Sequence, residues 1–201
     1  ANMNVAAGFE SIGNPYASAI DFRSLTITGG VQTDFFYLWD PKLTTIGLNS
    51  AHGLGGFQTF SWNGSSFDVT PGGGSYAGSN RFIESGQAFF VHAPFTDGTV
   101  GFSESAKVNG SFSVNRTSSV GKKQLRTNMY VISGTNRILL DGNLIQFDNN
   151  YSNAVDINDG IKLGNSGENL GIIRDGKTLV VERRSFIEKN DTIFYKLGQL
   201  K

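Results

Sequence analysis

Short apolar runs separated by Asn-Gly and Asp-Gly pairs constrain this 201-residue chain more than any other feature of its sequence. Both residues of such a pair adopt left-handed backbone conformations readily, and these conformations suit the tight turns that join antiparallel strands. The sequence therefore predicts four β-hairpins, with turns at Asn63-Gly64, Asn109-Gly110, Asp141-Gly142 and Asp175-Gly176.

The composition points to the same fold class. The chain contains 26 glycines and 16 phenylalanines but only 2 methionines, which favours short strands and tight turns over helices. We predict an all-β, jelly-roll-like β-sandwich, built either as one domain or as two consecutive β units. In the two-unit arrangement, a sandwich unit spans 1–114, a linker or long loop spans 115–123, and a second β unit, truncated at its C-terminus, spans 124–201.

One short helix is expected near residues 18–25. The segment Ser18-Ala19-Ile20-Asp21 matches a capping pattern. In this pattern the serine hydroxyl accepts a hydrogen bond from a backbone amide of the first turn, and the carboxylate lies near the partial positive charge of the helix N-terminus. Two strands also have predictable burial. Phe89-Phe90-Val91 is apolar at consecutive positions and should be covered on both faces. Residues 124–133 alternate between apolar and polar, which predicts a half-exposed strand.

Charge and hydropathy exclude two classes of partner. The formal net charge is zero, with 17 basic and 17 acidic residues, so the basic surface typical of nucleic-acid-binding proteins is missing. No stretch approaches the roughly 18 apolar residues that a membrane-spanning helix requires. We therefore expect neither nucleic acid binding nor membrane insertion.

The sequence contains no arrangement typical of a catalytic centre. Cysteine is absent, and His52 and His92 are the only histidines, which leaves little material for nucleophilic or zinc chemistry. The acidic residues of the first half have structural interpretations, with Asp21 as a helix cap and Asp40 as a turn residue before Pro41. We predict that the chain is not an enzyme and has no catalytic residues.

One loop is a candidate for a metal ion. Residues 148–160 are rich in side-chain oxygen atoms, and Ca²⁺ binds 6 to 8 such ligands. We predict Asp148, Asn150 and Asp156 as the ligands, and Ca²⁺ is the only cofactor that the sequence suggests. The spacing is not that of an EF-hand, and Asx-rich turns also form without ions, so an ion-free loop is the alternative.

Exposed aromatic rings could bind a sugar ligand. Aromatic residues make up 12% of the chain, and their amphipathic rings suit surfaces that are partly apolar and partly wet. We select Trp62, Phe67 and Tyr76, which lie near predicted turns, as candidate ligand-binding residues. Trp39 is expected to anchor the core instead, which makes Trp62 the more exposed tryptophan.

Four segments of the sequence match motifs of a known protein family. They are Phe9–Phe22, which contains Gly13-Asn14-Pro15-Tyr16; Tyr37-Leu38-Trp39-Asp40-Pro41; Ile83–Ala93, which contains Gly86-Gln87-Ala88-Phe89-Phe90-Val91; and Val100–Val108. In this order they resemble the β-rich region of surface and secreted proteins of Bacteroidetes, in the part that lies upstream of a type IX secretion sorting domain. The second half of the chain resembles the second β unit of the same proteins more loosely.

The resemblance implies an extracellular or outer-surface location and a non-catalytic structural or adhesive module of a larger protein. It implies neighbouring domains of the same polypeptide as partners, together with a glycan or another surface ligand. The alternative is a carbohydrate-binding module of a secreted polysaccharide-degrading enzyme. Proteins of this family continue past the segment that matches Tyr195-Lys196-Leu197-Gly198, so we expect the continuing chain or a partner strand to complete the second unit.

Overall fold

The fold is all-β, as the sequence predicts, and its antiparallel sheets are consistent with a β-sandwich. A computed structural model describes residues 1–41, 43, 55–76, 82–108 and 123–200. The strands within these ranges are β1 (Asn2–Val5), β2 (Gly8–Gly13), β3 (Ile20–Asp21), β4 (Thr26–Gly29), β5 (Phe35–Asp40), β6 (Gly56–Trp62), β7 (Phe67–Thr70), β8 (Phe82–Ile83), β9 (Ala88–Ala93), β10 (Gly98–Gly101), β11 (Lys123–Ser133), β12 (Asn136–Phe147), β13 (Gly160–Ile161), β14 (Asn169–Arg174), β15 (Lys177–Arg184) and β16 (Phe194–Gly198). No helix in the described ranges is long and apolar enough to cross a membrane.

The strands form sheets of different sizes. The order is β1-β10-β4 in one sheet, β2-β9-β5-β6-β7 in a second, and β3-β8 in a two-stranded sheet. The largest sheet has the order β11-β12-β15-β14-β16, and β13 pairs with β15 beside it. Most of these pairs are antiparallel, and the pairing of β12 with β15 is parallel.

The chain divides into two compact units. The first contains residues 1–38, 60–68 and 78–116, and the second contains residues 39–59, 69–77 and 117–201. Residues 115–122 of the predicted linker lie outside the described residues, and two segments from the first half of the chain, 39–59 and 69–77, also belong to the second unit. Strands β5, β6 and β7 therefore each have residues in both units.

Stacked phenylalanine rings form the core of the first unit. The ring of Phe36 stacks on Phe22 with centroids 4.6 Å apart and on Phe60 at 4.4 Å. Phe89 meets Phe22 edge to face at 6.2 Å. Offset stacked and edge-to-face pairs are the favoured arrangements of aromatic rings. Strand β9 lies between β2 and β5, and its residues Phe89 and Val91 are fully buried on one face, whereas Phe90 on the opposite face is half-buried. The prediction that both faces are covered therefore holds for one face only.

The short helix predicted near residues 18–25 is present as a single 3₁₀ turn at Phe22–Ser24, and a second such turn spans Glu104–Ala106. The cap of the first turn is Asp21, whose Oδ1 accepts a hydrogen bond from the backbone nitrogen of Arg23 at 2.9 Å. Ser18 is not the cap, because strand β3 pairs Ile20 with Ile83 and keeps the chain extended up to Asp21.

Two of the predicted hairpins are confirmed. Asn63-Gly64 joins β6 to β7, and the Asn63 side chain accepts hydrogen bonds from the backbone nitrogens of Ser65 and Ser66. Asp175-Gly176 joins β14 to β15, with φ angles of 46° and 73°, as a primed two-residue turn requires. The predicted turn at Asn109-Gly110 lies outside the described residues.

The predicted turn at Asp141-Gly142 is wrong, because both residues lie inside the continuous strand β12. The hairpin between β11 and β12 turns instead at residues 134–135, where Gly134 has a φ of 61°. A Cβ atom at Gly142 would lie 2.8 Å from the carbonyl oxygen of Thr127 on the neighbouring strand. This glycine therefore allows two strands to approach closely and forms no turn.

A smaller apolar core supports the second unit. It consists of Ile145, Ile172 and Leu179, which lie on β12, β14 and β15, with Ile161 and Ile193 packed against them. Strand β11 does not show the buried face that its alternating pattern predicts, because its described side chains are all half-buried or exposed and Leu125 is 40% exposed. Strand β16 comes last in the order of the large sheet, and its residues Phe194 and Leu197 are exposed. The pairing of a further strand with β16 stays a prediction.

Candidate functional site

Two of the predicted ligand-binding residues lie together in the first unit. The rings of Trp62 and Phe67 meet at 5.2 Å, and the guanidinium of Arg23 lies 4.8 Å from the Trp62 ring centroid. Phe67 is only 8% exposed and also packs against Phe36 at 5.1 Å. The ring of Phe67 therefore serves core packing, and Trp62 is half-buried between its neighbours. Ligand binding by either residue stays a prediction.

Trp39 is exposed, and the expectation that it anchors the core is wrong. The side chain is 38% exposed, whereas the other residues of β5 are buried to 1% exposure or less. Trp39 lies next to the last residue of the strand, between the buried residues Leu38 and Asp40. The strand thus presents one large ring to the solvent at the end that belongs to the second unit.

Trp39 is part of an aromatic cluster in the second unit, which we call the Trp39 platform and define as Trp39, Phe57 and Tyr76. The ring of Phe57 meets Trp39 at 4.9 Å with an interplanar angle of 75°. The hydroxyl of Tyr76 donates a hydrogen bond to the carbonyl oxygen of Trp39 at 3.5 Å. The sequence identifies Tyr76 but misses Phe57, because only the pairing of β5 with β6 brings Phe57 beside Trp39.

A glycine makes room for the exposed indole. A Cβ atom at Gly55 would lie 2.3 Å from Cζ2 of Trp39 and 2.5 Å from its Cε2. Real Cβ atoms do not approach other atoms so closely, and the φ of Gly55 is 72°, in the region that glycine tolerates best. The backbone therefore runs directly against the Trp39 ring system, where any side chain would displace it.

Two buried polar side chains hold the glycine-rich loop that leads to Tyr76. The Asp40 carboxylate accepts hydrogen bonds from the backbone nitrogen of Ser75 at 2.6 Å and from its hydroxyl at 2.8 Å. The Gln58 amide donates to the carbonyl of Gly73 at 2.7 Å and accepts from the backbone nitrogen of Tyr76 at 3.1 Å. The carboxylate predicted to form a local turn thus binds a residue 35 positions away.

The predicted calcium ligands lie in two separate turns. Oδ1 of Asp148 accepts hydrogen bonds from the backbone and side-chain nitrogens of Asn150, both at 2.9 Å. Oδ1 of Asp156 accepts from the backbone nitrogen of Asn158 at 2.7 Å. Across the described ranges, no group of three or more His, Cys, Asp or Glu side chains could hold a metal ion. Calcium binding stays a prediction.

A buried acid that the sequence analysis missed closes the same loop. Asp159 is 2% exposed, and burial raises the pKa of its carboxyl group to about 6. Its two oxygens accept hydrogen bonds from the backbone nitrogens of Arg183 at 2.8 Å and Asp156 at 2.9 Å. In the sequence, Asp159-Gly160 is typical of an exposed turn, and no local signal marks it as buried.

Buried ions also tie the strands of the second unit together. Lys162 lies 2.7 Å from Asp141, and Oδ2 of Asp141 also accepts a hydrogen bond from the backbone nitrogen of Leu170 at 2.6 Å. Glu182 pairs with both Arg174 and Arg184. Buried charges are tolerated when they are paired and hydrogen-bonded. These groups therefore serve the structure of the unit.

A pocket of about 280 Å³ lies beside these ions in the second unit. Its lining residues are Lys162, Gly164, Asn169, Gly171, Thr178, Lys196 and Gly198. Two polar groups of this lining are used within the chain, because Lys162 binds Asp141 and the Asn169 amide donates to the carbonyl of Gly167 at 2.7 Å. The pocket thus presents mainly glycine backbone and aliphatic carbon.

The histidine that the structure describes has a packing role. His92 is buried, stacks on Phe9 with centroids 4.2 Å apart, and places Nδ1 3.1 Å from Oε1 of Gln32. His52 lies outside the described residues.

Comparison with known proteins identifies the family of the chain. No curated protein and no solved structure matches the chain. A family model described as "Domain of unknown function (DUF8693)" matches residues 2–198, from the first residue of β1 to the last residue of β16. The chain therefore belongs to the DUF8693 family.

Proposed function

We propose that the chain is a non-catalytic structural or adhesive module of a larger protein that a Bacteroidetes cell displays on its outer surface or secretes by the type IX route. Its partners are neighbouring domains of the same polypeptide and a surface ligand. The cellular location and the secretion route are proposed from the sequence resemblance. Support for the structural role comes from what the residues of the matching segments do in the fold.

One observation carries the structural role: Asn14 joins two of the segments that show the resemblance. The Asn14 side chain is 5% exposed, and its amide donates hydrogen bonds to the carbonyls of Ile83 at 3.2 Å and Glu84 at 3.0 Å. Its backbone nitrogen donates to the carbonyl of Gln87 at 3.0 Å. Asn14 thus connects two segments about 70 residues apart, which is what a fold-forming residue does.

The other matching segments also serve packing. Tyr37 is fully buried and meets Phe9 edge to face at 5.2 Å. Val100 and Ala106 of the last segment are fully buried. Glu104 pairs with Lys107 at 2.6 Å on the surface. The residues of these segments are used to form the first unit, which supports a structural function for them.

The buried carboxylates support a non-catalytic role in the same way. Acid and base catalysts must direct a carboxyl group towards a substrate atom. Here Asp40, Asp141 and Asp159 instead accept hydrogen bonds from backbone nitrogens of their own chain. Their positions are explained by the amides and cations that they bind.

Protease shaving of intact cells tests the proposed location of the module. We expect protease added to cells that produce the parent protein to remove this module, while a cytosolic marker stays intact. In cells that lack type IX secretion, the module should be protected. Detection of the module in the cytosol would contradict the proposal, and so would turnover of a polysaccharide or peptide substrate by the purified chain.

The alternative is a carbohydrate-binding module of a polysaccharide-degrading enzyme. It differs from the first proposal in the parent protein, and the exposed ring of Trp39 favours a sugar ligand under either proposal. The sequence that flanks the chain would distinguish the two, because one predicts adhesive repeats and the other a catalytic domain.

A further inference from the structure

The exposure of Trp39 is unusual for its surroundings. The neighbouring residues of β5 are buried, and Asp40 beside it is fully buried. Large aromatic rings contribute most to stability when they are withdrawn from water. An indole at the end of a buried strand that stays 38% exposed is therefore a feature that core packing does not explain.

The platform is also held in place before any ligand arrives. Phe57 supports the indole from one side at 4.9 Å, and Gly55 lies against Cζ2 and Cε2. Tyr76 is fixed through its backbone by Gln58 and through its hydroxyl by the carbonyl of Trp39. Rings that are already ordered lose little conformational entropy when they bind, so a preorganised platform binds more tightly than a mobile one.

The exposed area of Trp39 is consistent with a small contact surface. If a whole tryptophan side chain offers about 250 Å², the exposed 38% corresponds to about 100 Å² of indole. A surface of about 100 Å² is similar in size to one face of a single sugar ring.

The three side chains of the platform are uncharged. The nearest carboxylate in the sequence, Asp40, is fully buried and binds Ser75, so it does not present a charge to a ligand. The platform offers aromatic rings, and the hydroxyl of Tyr76 binds the carbonyl of Trp39. Rings of this kind suit a neutral ligand that has one apolar face and polar edges, and a pyranose has both.

We propose that the Trp39 platform binds a neutral polysaccharide by stacking a sugar ring on the Trp39 indole. This assignment rests on the proposed function, because it names the surface ligand of the adhesive module. Phe57 and Tyr76 act as positioning residues that fix the orientation of the indole. The assignment differs from the sequence prediction, which favoured Trp62.

Affinity electrophoresis of the full chain tests the proposal. Native gels would contain hydroxyethylcellulose, xylan, galactomannan or amylose as probes. At least one probe should retard the wild-type chain and the matched control Trp62→Ala, while Trp39→Ala should bind about tenfold or more weakly, as expected when an aromatic anchor is truncated. Tyr76→Phe should bind with intermediate strength, because it loses the hydrogen bond to the carbonyl of Trp39.

A second measurement keeps the proposal testable if Trp39→Ala fails to fold. In Trp62→Phe the indole of Trp39 is the only one left, since the chain has 2 tryptophans. Its fluorescence should shift to shorter wavelength when the retarding polysaccharide is added, because stacking removes water from the ring. Retardation of Trp39→Ala to the same extent as wild type would overturn the proposal, and so would loss of binding in Trp62→Ala alone.

The two experiments distinguish a failure of the sugar assignment from a failure of the proposed location. If no probe retards the wild-type chain while protease shaving still places the module on the cell surface, the sugar assignment is wrong and the structural proposal stands. If the module is found in the cytosol, the proposed function is wrong, whatever the gels show.

Discussion

The ammonium group of Lys162 lies 2.7 Å from Oδ2 of Asp141, and both side chains are withdrawn from water, with exposures of 5% and 0%. The pair joins the segment that begins with β13 to the middle of β12. A lone charge left in such a site would be costly, because the protein interior solvates ions poorly.

Lys162→Met should therefore lower the free energy of unfolding by about 3–5 kcal/mol, because it leaves the Asp141 carboxylate buried without its cation. The matched control is Lys196→Met, which removes an exposed lysine from the same pocket and should change stability by less than about 0.5 kcal/mol. Urea denaturation measures both. Equal stabilities of the two variants would show that the buried pair contributes nothing.

Asn14→Ala should cost about 2–3 kcal/mol, because it leaves the carbonyls of Ile83 and Glu84 without the donor that satisfies them. Asn4→Ala, which changes an exposed asparagine on β1, should be nearly neutral. Thermal unfolding of the two variants makes the comparison. If Asn14→Ala melts with the wild-type chain, Asn14 does not carry the structural role proposed for it.

Asn143→Leu should stabilise the second unit. Asn143 is fully buried, and neither atom of its amide has a hydrogen-bond partner among the described residues, so its removal recovers about 1–3 kcal/mol of desolvation cost. Asn165→Leu is the matched control and should destabilise, because Oδ1 of Asn165 accepts a hydrogen bond from the backbone nitrogen of Phe57 at 2.8 Å. A loss of stability in both variants would mean that the Asn143 amide is satisfied by bound water.

The acid Asp159 should make stability depend on pH. Its pKa in the folded chain is about 6, above the value of about 3.9 in an unfolded chain. The folded state therefore binds the proton more tightly, and the stabilising contribution is complete below about pH 3.9 and is lost as the pH rises through 6. Relative to Asp159→Asn, the wild-type chain should gain about 2 kcal/mol between pH 7.5 and pH 4.5.

Chemical denaturation at several pH values measures this difference. Asp148→Asn, which changes an exposed acid of the same loop, should follow the wild-type curve. Parallel curves for the wild-type chain and Asp159→Asn would show that the Asp159 carboxyl group titrates normally.

The calcium hypothesis for the loop at 148–160 predicts a ligand-dependent melting temperature. At free Ca²⁺ of 100 times Kd, the free energy of unfolding should rise by about 2.7 kcal/mol, and Asp148→Ala should abolish the rise. Mg²⁺ at the same concentration serves as the control, because it favours smaller octahedral sites. Melting curves that Ca²⁺ and a chelator leave unchanged would remove the hypothesis.

Local turn chemistry accounts for much of what the sequence predicts correctly. Asp175-Gly176 forms its turn because both residues adopt left-handed conformations. The turn at Asn63-Gly64 is also local, because Gly64 has a φ of 96° and the Asn63 side chain accepts hydrogen bonds from the next backbone nitrogens. Asp141-Gly142 has the same composition but lies in a strand. Its aspartate binds Lys162, and its glycine allows β11 to approach, and both causes come from residues far away in sequence.

The candidate site is harder to predict for the same reason. Residues 35–39 are apolar at every position, so strand periodicity gives no indication of which ring is exposed. The exposure of Trp39 depends on Gly55 and Phe57, and the position of Tyr76 depends on Asp40 and Gln58. These contacts span 16 to 37 positions along the chain, and only the folded sheets bring the residues together.

Gly55 gives the platform an unusual weakness. A single methyl group added there would collide with the indole, so the residue at position 55 decides whether the ring can keep the position in which it would bind the sugar. Efforts to change the ligand preference of this module should therefore keep glycine at position 55, which preserves the position of the indole. Positions 57 and 76 are the ones to vary, because they change the side chains next to Trp39.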